Sequence, residues 1–502
     1  MSLPFSWTEW FTADALALAD HVRRGAVTAE QVAEQAGAAV DRFGLALGAV
    51  VELFADAVAD PESTGADRSG LFYGAPLFMK DSGSGMAGRL REWGSPLATG
   101  QICAQDCPLT TNLRAAGFNL IGRSSLPEWG KAFDTTYTQD GALVIARNPW
   151  NLDRTPGGSS GGSAALVAAG VVPIAKGGDA AGSVRVPAAF TGLVGLKPTR
   201  GLLPPPTGTN ELANHRVQEG VLTRTVRDQA AALDYMIRPH AGSNFIAAAR
   251  PSTEFRHLLD SDVPPVRIGV STSSWGLPGG CDPTIAERVA DVGRLLAGLG
   301  HSTREVDDDA ICDWEPFWQD FTVGWVATTG HWFDIAAQQG LSRAELERRL
   351  MPQNRYLLDE FDKLSVSDLR RALYGNARHS ARAARLFTEV DVLLTPVYSG
   401  PVPLANGPLS LASDSPPEEF LAGFRAAARY TAFGNETGVP GLAVPAGLGT
   451  DGLPIGVMLY GSPNQDGLLL QLANQLEQAR PEWFGAAPLR LNPAWPEQRQ
   501  DG

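Results

Sequence analysis

The 502-residue chain is 44% hydrophobic and 19% charged, a balance that buries a large core without disulfide or metal staples and excludes long disorder. Its 41 Lys and Arg stand against 55 Asp and Glu, and the resulting net charge of −14 repels phosphate backbones, which sets nucleic-acid binding aside as the main function. Four cysteines are too few for a disulfide scaffold, and Cys103 and Cys107 lack the second pair or the histidines of a zinc set, so reduced thiols, no metal and no cofactor are expected.

In chain order, residues 7–45 read as two amphipathic helices, with Thr12 capping the first, Gly25 stopping it, and Thr28 with Gln31 forming a capping box for the second. No cationic segment precedes an apolar run near the N-terminus, so no signal peptide is expected. The longest small-apolar stretch, residues 164–175, is too short to span a bilayer, which predicts a cytoplasmic protein with no membrane partner. From Tyr73 the pattern changes to buried strands entering loops, in GAPLFMKD, FNLIGRSS and VVPIAKGGD, with helices between them at 109–116 and 163–169. Residues 241–265 read as polar loop, VRIGVS as a strand, and 283–299 as a helix closed by Gly300. Residues 313–390 are the most helical and charged part, expected to cover one side of the sheet and to set specificity. DVLLTPV and GLAVPAG return to the strand-into-loop style, and roughly the last 15 residues, rich in Pro, read as loosely packed.

This alternation predicts an α/β fold: a single large domain with a central mixed β-sheet covered by helices on both faces. Within it the expected divisions are an N-terminal helical layer at about 7–60 and a catalytic core at about 65–240. A strand, a helix and a substrate-side helical insertion follow at about 266–390, and a return to the core at about 391–485.

Chemistry concentrates in three segments: Lys80-Asp81, the run Gly157 to Ser163, and the run Gly177 to Pro187. The Gly/Ser composition of the second suits a flexible linker, but the apolar helix that follows at once argues against one. A phosphate loop requires Lys and then Ser or Thr after its final Gly, whereas Ser163-Ala164 follows Gly162. Nucleophilic catalysis fits better. The small residues before Ser183 leave room for the N–H groups of Ala180, Ala181, Gly182 and Ser183 to converge on a tetrahedral oxyanion. None of the seven histidines lies in these loops, so the base falls to another group. A lysine serves when desolvation leaves it neutral, and Lys80 follows the apolar run Leu77-Phe78-Met79. From this segment alone, a structural ion pair of Lys80 with Asp81 or another carboxylate is an equal alternative.

These segments closely resemble the amidase signature family of serine hydrolases, whose device is a Ser-cis-Ser-Lys triad. Lys80 matches the family lysine, Ser159 in GGSSGG the serine preceded by a cis peptide bond, and Ser183 in AAGSVRVP the nucleophile, 24 positions after Ser159. The likeness continues through GRSSLPEWG, GLVGLKPTRG, NETGVPGLAVP and GLPIGVMLYG, and covers most of the chain. It implies that Asp179 and Arg185 pair to hold the nucleophile loop, with Gly158 and Ser160 as further support. Ala181 departs from the usual glycine. The DAAGS form, with GLKPTRG downstream, is more similar to 6-aminohexanoate cyclic dimer hydrolases and related amidases than to the tRNA-linked members.

The function this implies is hydrolysis of carbon–nitrogen bonds in linear or cyclic amides through a seryl acyl-enzyme, with aryl amides, esters and carbamates (urethanes) as further substrates. The alternative is the glutamyl-tRNA amidotransferase A subunit, working with partner subunits. A non-catalytic binder on the same fold would lack Lys80, Ser159 or Ser183, and all three are present. The partner implied is a small-molecule substrate; a homodimer stays open. Trp129, Phe133, Tyr137, Trp314, Phe317, Trp318, Trp325 and Trp332 are the aromatic candidates for an apolar substrate wall, set against ordinary core packing.

Overall fold

Along strand β2 (Pro76–Lys80) every residue is buried, yet neighbours serve different layers: Phe78 joins one hydrophobic cluster, Leu77 and Met79 the other. Period-two alternation puts successive side chains on opposite faces, so this sheet is covered on both. The computed structural model describes residues 3–205, 216–240 and 248–485. Its strands are β1 (Val50–Leu53), β2, β3 (Asn119–Ser124), β4 (Thr136–Gln139), β5 (Ala142–Ile145), β6 (Ile174–Asp179), β7 (Val194–Lys197) and β8 (Gln218–Thr223). They continue as β9 (Arg267–Val270), β10 (Ser302–Glu305), β11 (Val392–Pro396), β12 (Gly441–Leu448) and β13 (Pro454–Gly461).

Among the described residues eleven strands form one sheet in the order β1-β3-β2-β6-β8-β7-β12-β13-β11-β9-β10, while β4 and β5 make a separate hairpin. The sheet is mixed. β2 runs parallel to both β3 and β6, and β9 parallel to β10 and β11, while the strands between β6 and β11 in that order pair antiparallel. The Phe78 face is covered by the N-terminal helices, by the helices Gly161–Ala168 and Arg185–Thr191, and by Trp314–Ala327 and Val366–Glu389. The Leu77 face is covered by Pro108–Ala115, Val226–Met236, Pro283–Gly298 and Asp466–Ala479.

The predicted helices and strands fall close to their expected places, with one cap misassigned. Thr12 is the last residue of the helix Trp7–Thr12, whose N-cap is Ser6, and Asp14 caps the next helix, Ala15–Arg23. The hydroxyl of Thr12 instead donates to the carbonyls of Thr8 and Glu9, one turn back. The Thr28–Gln31 capping box is present, and Gly25 follows the second helix with φ +69°. Within 241–265 a single helical turn, Phe255–Leu258, replaces loop; residues 241–247 and the Pro-rich end from 486 lie outside the described residues. Among the described residues no helix is long and apolar enough to cross a membrane.

Candidate active site

Lys80 closes β2, and alternation along the strand puts it on the Phe78 face. That is the face on which the helix Gly161–Ala168 packs, all of its residues buried. The turn leading into this helix therefore meets the end of β2. Lys80 Nζ lies 2.7 Å from Ser159 Oγ, 3.1 Å from Ser160 Oγ and 3.4 Å from the Gly178 carbonyl at the end of β6. The peptide bond Gly158–Ser159 is cis. Side chains would not fit around it: a Cβ on Gly158 would stand 2.4 Å from the Ala132 carbonyl, and one on Gly161 2.3 Å from Thr135 Oγ1.

Among the described residues no carboxylate pairs with the Lys80 amine. Asp81 pairs instead with Arg123 at 2.9 Å, which decides the alternative left open above. Burial, and after it the like charge of Lys176, pull Lys80 down from the ordinary lysine range to about 7, against the opposing pull of Glu219 and Asp179. A lysine so placed is an available proton acceptor near neutral pH.

Ser160 is more than a loop support. Its hydroxyl donates to the Gly178 carbonyl at 3.3 Å and accepts the Gly178 N–H at 3.3 Å, and its own N–H donates to the Ser183 carbonyl at 3.2 Å. One residue thus ties the lysine, the end of β6 and the Ser183 turn together. Ser183 itself is buried, one residue past Gly182 and just ahead of the helix Arg185–Thr191.

Asp179, the last residue of β6, organises that turn. Its carboxylate accepts the N–H groups of Gly182 at 2.8 Å, Val184 at 3.2 Å and Arg185 at 3.4 Å, and two bonds of 2.9 Å from the Arg185 guanidinium. Burial alone would raise this carboxyl, but Arg185 and Asn435 hold it at about 2. Arg185 also donates to Asn435 Oδ1 at 2.7 Å and to the Tyr460 hydroxyl at 2.8 Å, so the turn is anchored to β13. The pair expected between Asp179 and Arg185 is thus fully buried and fully bonded.

This network corrects one expectation. The Gly182 N–H is taken by Asp179 and does not point at a substrate oxygen, whereas no acceptor among the described residues takes the N–H of Ala180, Ala181 or Ser183. Gly182 is needed for its shape. Its φ is +133°, and a Cβ there would stand 2.3 Å from Thr431 Oγ1. Gly182→Ala is therefore expected to cost about 1–3 kcal/mol of stability, read as a lower denaturant midpoint. Adding Thr431→Ala should recover only a small part of this, because the Cβ of residue 431 would still stand 2.7 Å from the new methyl, and a Gly182→Ala midpoint equal to wild type would contradict this account.

A cavity of about 570 Å³ opens over Lys80, Ser159, Gly178 and Ala180. Of the eight aromatic candidates, Trp129 and Trp325 line it; the other six are buried in the core. Trp93, Arg91, Lys131 and His331 were not anticipated. Trp93 and Trp129 stack with centroids 5.5 Å apart, both in left-handed backbone (φ +55° and +56°), and His331 meets Trp129 edge-on at 4.9 Å. Trp325 and His331 come from the helical region 313–390, where specificity was expected to be set.

Residues 34–470 match the family described as Amidase. A 6-aminohexanoate-cyclic-dimer hydrolase of Paenarthrobacter ureafaciens is 32% identical over 501 residues, covering 96% of this chain and 97% of that protein. The solved structure of a 6-aminohexanoate cyclic dimer hydrolase is similar at a TM-score of 0.87 and 29% identity, over 96% of this chain and 99% of that one. The A-type component of the glutamyl-tRNA(Gln) amidotransferase from Thermotoga maritima shares the fold, at a TM-score of 0.73 and 23% identity over 95% and 98% of the two chains.

Proposed function

Because the chain belongs to the Amidase family and is a hydrolase of carbon–nitrogen bonds, we propose that it cleaves amides through an acyl-enzyme on Ser183, with Ser159 and Lys80 as its proton relay. The observation that carries this reading is the buried Lys80 Nζ, 2.7 Å from Ser159 Oγ and without a carboxylate partner among the described residues. As Ser183 Oγ attacks the carbonyl carbon, its proton passes to Ser159, whose own proton passes to neutral Lys80. The oxyanion that forms takes the free N–H groups of Ala180, Ala181 and Ser183. Collapse breaks the C–N bond while Lys80 returns the proton through Ser159 to the departing nitrogen, since an amide anion is too basic to leave unprotonated. Water then attacks the ester carbonyl by the same relay and frees Ser183.

Esters and carbamates present the same carbonyl and less basic leaving groups, so the proposal extends to them and includes urethane cleavage. Four cysteines without disulfides support a cytoplasmic setting. The tRNA-linked relative is a more distant neighbour than the cyclic-amide hydrolase, and a net charge of −14 gives tRNA little to hold.

A fluorophosphonate followed by peptide mass spectrometry tests the assignment. A single adduct on Ser183 is expected, absent in Ser183→Ala and strongly slowed in Lys80→Ala. An adduct on another residue would overturn it.

A further inference from the structure

The cavity over Ser159 has a charge balance opposite to that of the whole chain. Arg91 and Lys131 both line it, and no carboxylate among the described residues pairs with either. Glu219, the one acid in its wall among the described residues, is bound to Lys176 at 2.5 Å and accepts the Ser84 hydroxyl at 3.2 Å.

Lys131 is 3% exposed. It donates to the Trp325 carbonyl at 3.1 Å and to the Thr328 hydroxyl, both at the end of the helix Trp314–Ala327, and lies 4.4 Å from the centre of the Trp325 ring. An ammonium has three N–H donors, so one is left. Arg91 donates Nη1 to the Gly83 carbonyl at 3.1 Å, and its buried Nε has no partner among the described residues. The two cations flank the stacked tryptophans at matching offsets, Arg91 two residues before Trp93 and Lys131 two residues after Trp129. Buried charge without a counter-ion is costly, and sites that carry it are completed by an ion of opposite sign.

We propose that the preferred substrate is an amide with a carboxylate remote from the scissile bond, and that Arg91 and Lys131 supply the counter-charge to it while the tryptophans hold the connecting chain. The inference rests on the seryl hydrolysis proposed above and names its substrate class. Burial and Arg216 pull Lys131 down to about 7, so an arriving anion also restores its charged form. Helix capping by Lys131 is the competing explanation. It predicts equal effects on charged and neutral substrates, whereas a counter-charge acts on the charged ones alone.

The test compares dicarboxylic acid mono-4-nitroanilides, from succinic to suberic, with isosteres in which the free carboxylate is an isopropyl group. A second series places the carboxylate on the amine half, as N-acyl-4-aminobenzoates against N-acyl-4-isopropylanilides. Wild type should favour the anion in one series by at least about tenfold in kcat/KM, carried mainly by KM. That ratio should collapse to within about twofold in Arg91→Gln/Lys131→Met, whatever the absolute rates, and survive in Lys131→Arg. Cleavage of both series without preference for the anion, or a ratio unchanged in the double variant, would overturn the inference and leave the Ser183 assignment standing. Failure to cleave any anilide, or a fluorophosphonate adduct away from Ser183, would instead overturn the reading beneath it.

Discussion

Ser183→Ala is expected to lower kcat for amide hydrolysis roughly a million-fold while leaving KM within a few-fold of wild type, because in the proposed mechanism it removes the atom that bonds to substrate and little else. No neighbouring hydroxyl can replace it. Ser159 Oγ is held at 2.7 Å by Lys80, and Ser160 Oγ is engaged by both the carbonyl and the N–H of Gly178. The turn itself should persist, since Asp179 and Arg185 hold it through bonds that do not involve the Ser183 hydroxyl. The free N–H groups and the cavity remain, so a residual rate of about a thousandfold over water is expected. Steady-state and burst kinetics on a 4-nitroanilide check this, with the burst lost in the variant. A variant retaining even a tenth of wild-type kcat would rule Ser183 out as nucleophile.

Lys80→Ala should cost about ten thousandfold in kcat, and the same residue should govern the pH profile. Only neutral Lys80 can accept the Ser159 proton. Below its pKa of about 7 the lysine is protonated, so wild-type kcat/KM on a neutral anilide should fall tenfold per pH unit on the acid side and level off above about pH 8. Lys80→Arg should be as inactive as the alanine variant, because a guanidinium stays protonated throughout. The residual activity of Lys80→Ala should show no inflection near 7. An acid limb that survives in this variant would assign the titration to another group.

The segments of the candidate site stand out in residue order, while the choice of Lys80 as base and the place of Ser159 come from the family resemblance. Lys80, Ser159 and Ser183 stand in short segments whose composition demands close backbone approach, and the two-faced burial of GAPLFMKD follows from an apolar run too short for a helix. What stays hidden depends on which partner an N–H finds. Gly182 and Ala181 look alike as small residues before a serine, and only the folded turn reveals that Asp179 takes the first and leaves the second. The cavity wall is only partly in reach: Trp129 and Trp325 stand among the aromatic candidates, whereas Arg91, Trp93, Lys131 and His331 join them from segments far apart in sequence. For Lys131 the available signal is a lysine two residues after a tryptophan, in GRSSLPEWGK, which reads equally well as surface. Thr12 is misplaced for a local reason: a threonine suits the end of a helix as well as its start, where its hydroxyl can bond to the preceding turn.

The bond from Arg185 to Tyr460, and the pairing of β7 with β12, join parts of the chain separated by about half its length. During translation the first strand partners, β2, β3 and β6, can assemble early, but the turn bearing Ser183 lacks Asn435 and Tyr460 until nearly the whole polypeptide has left the ribosome. Until then Arg185 has a carboxylate and nothing else to hold it. Contacts of such long range make folding slow, and they make activity its last event. A chain ended before Asn435 and Tyr460 therefore carries Ser183 without two of the bonds that hold its turn, and is expected to lack the activity proposed above.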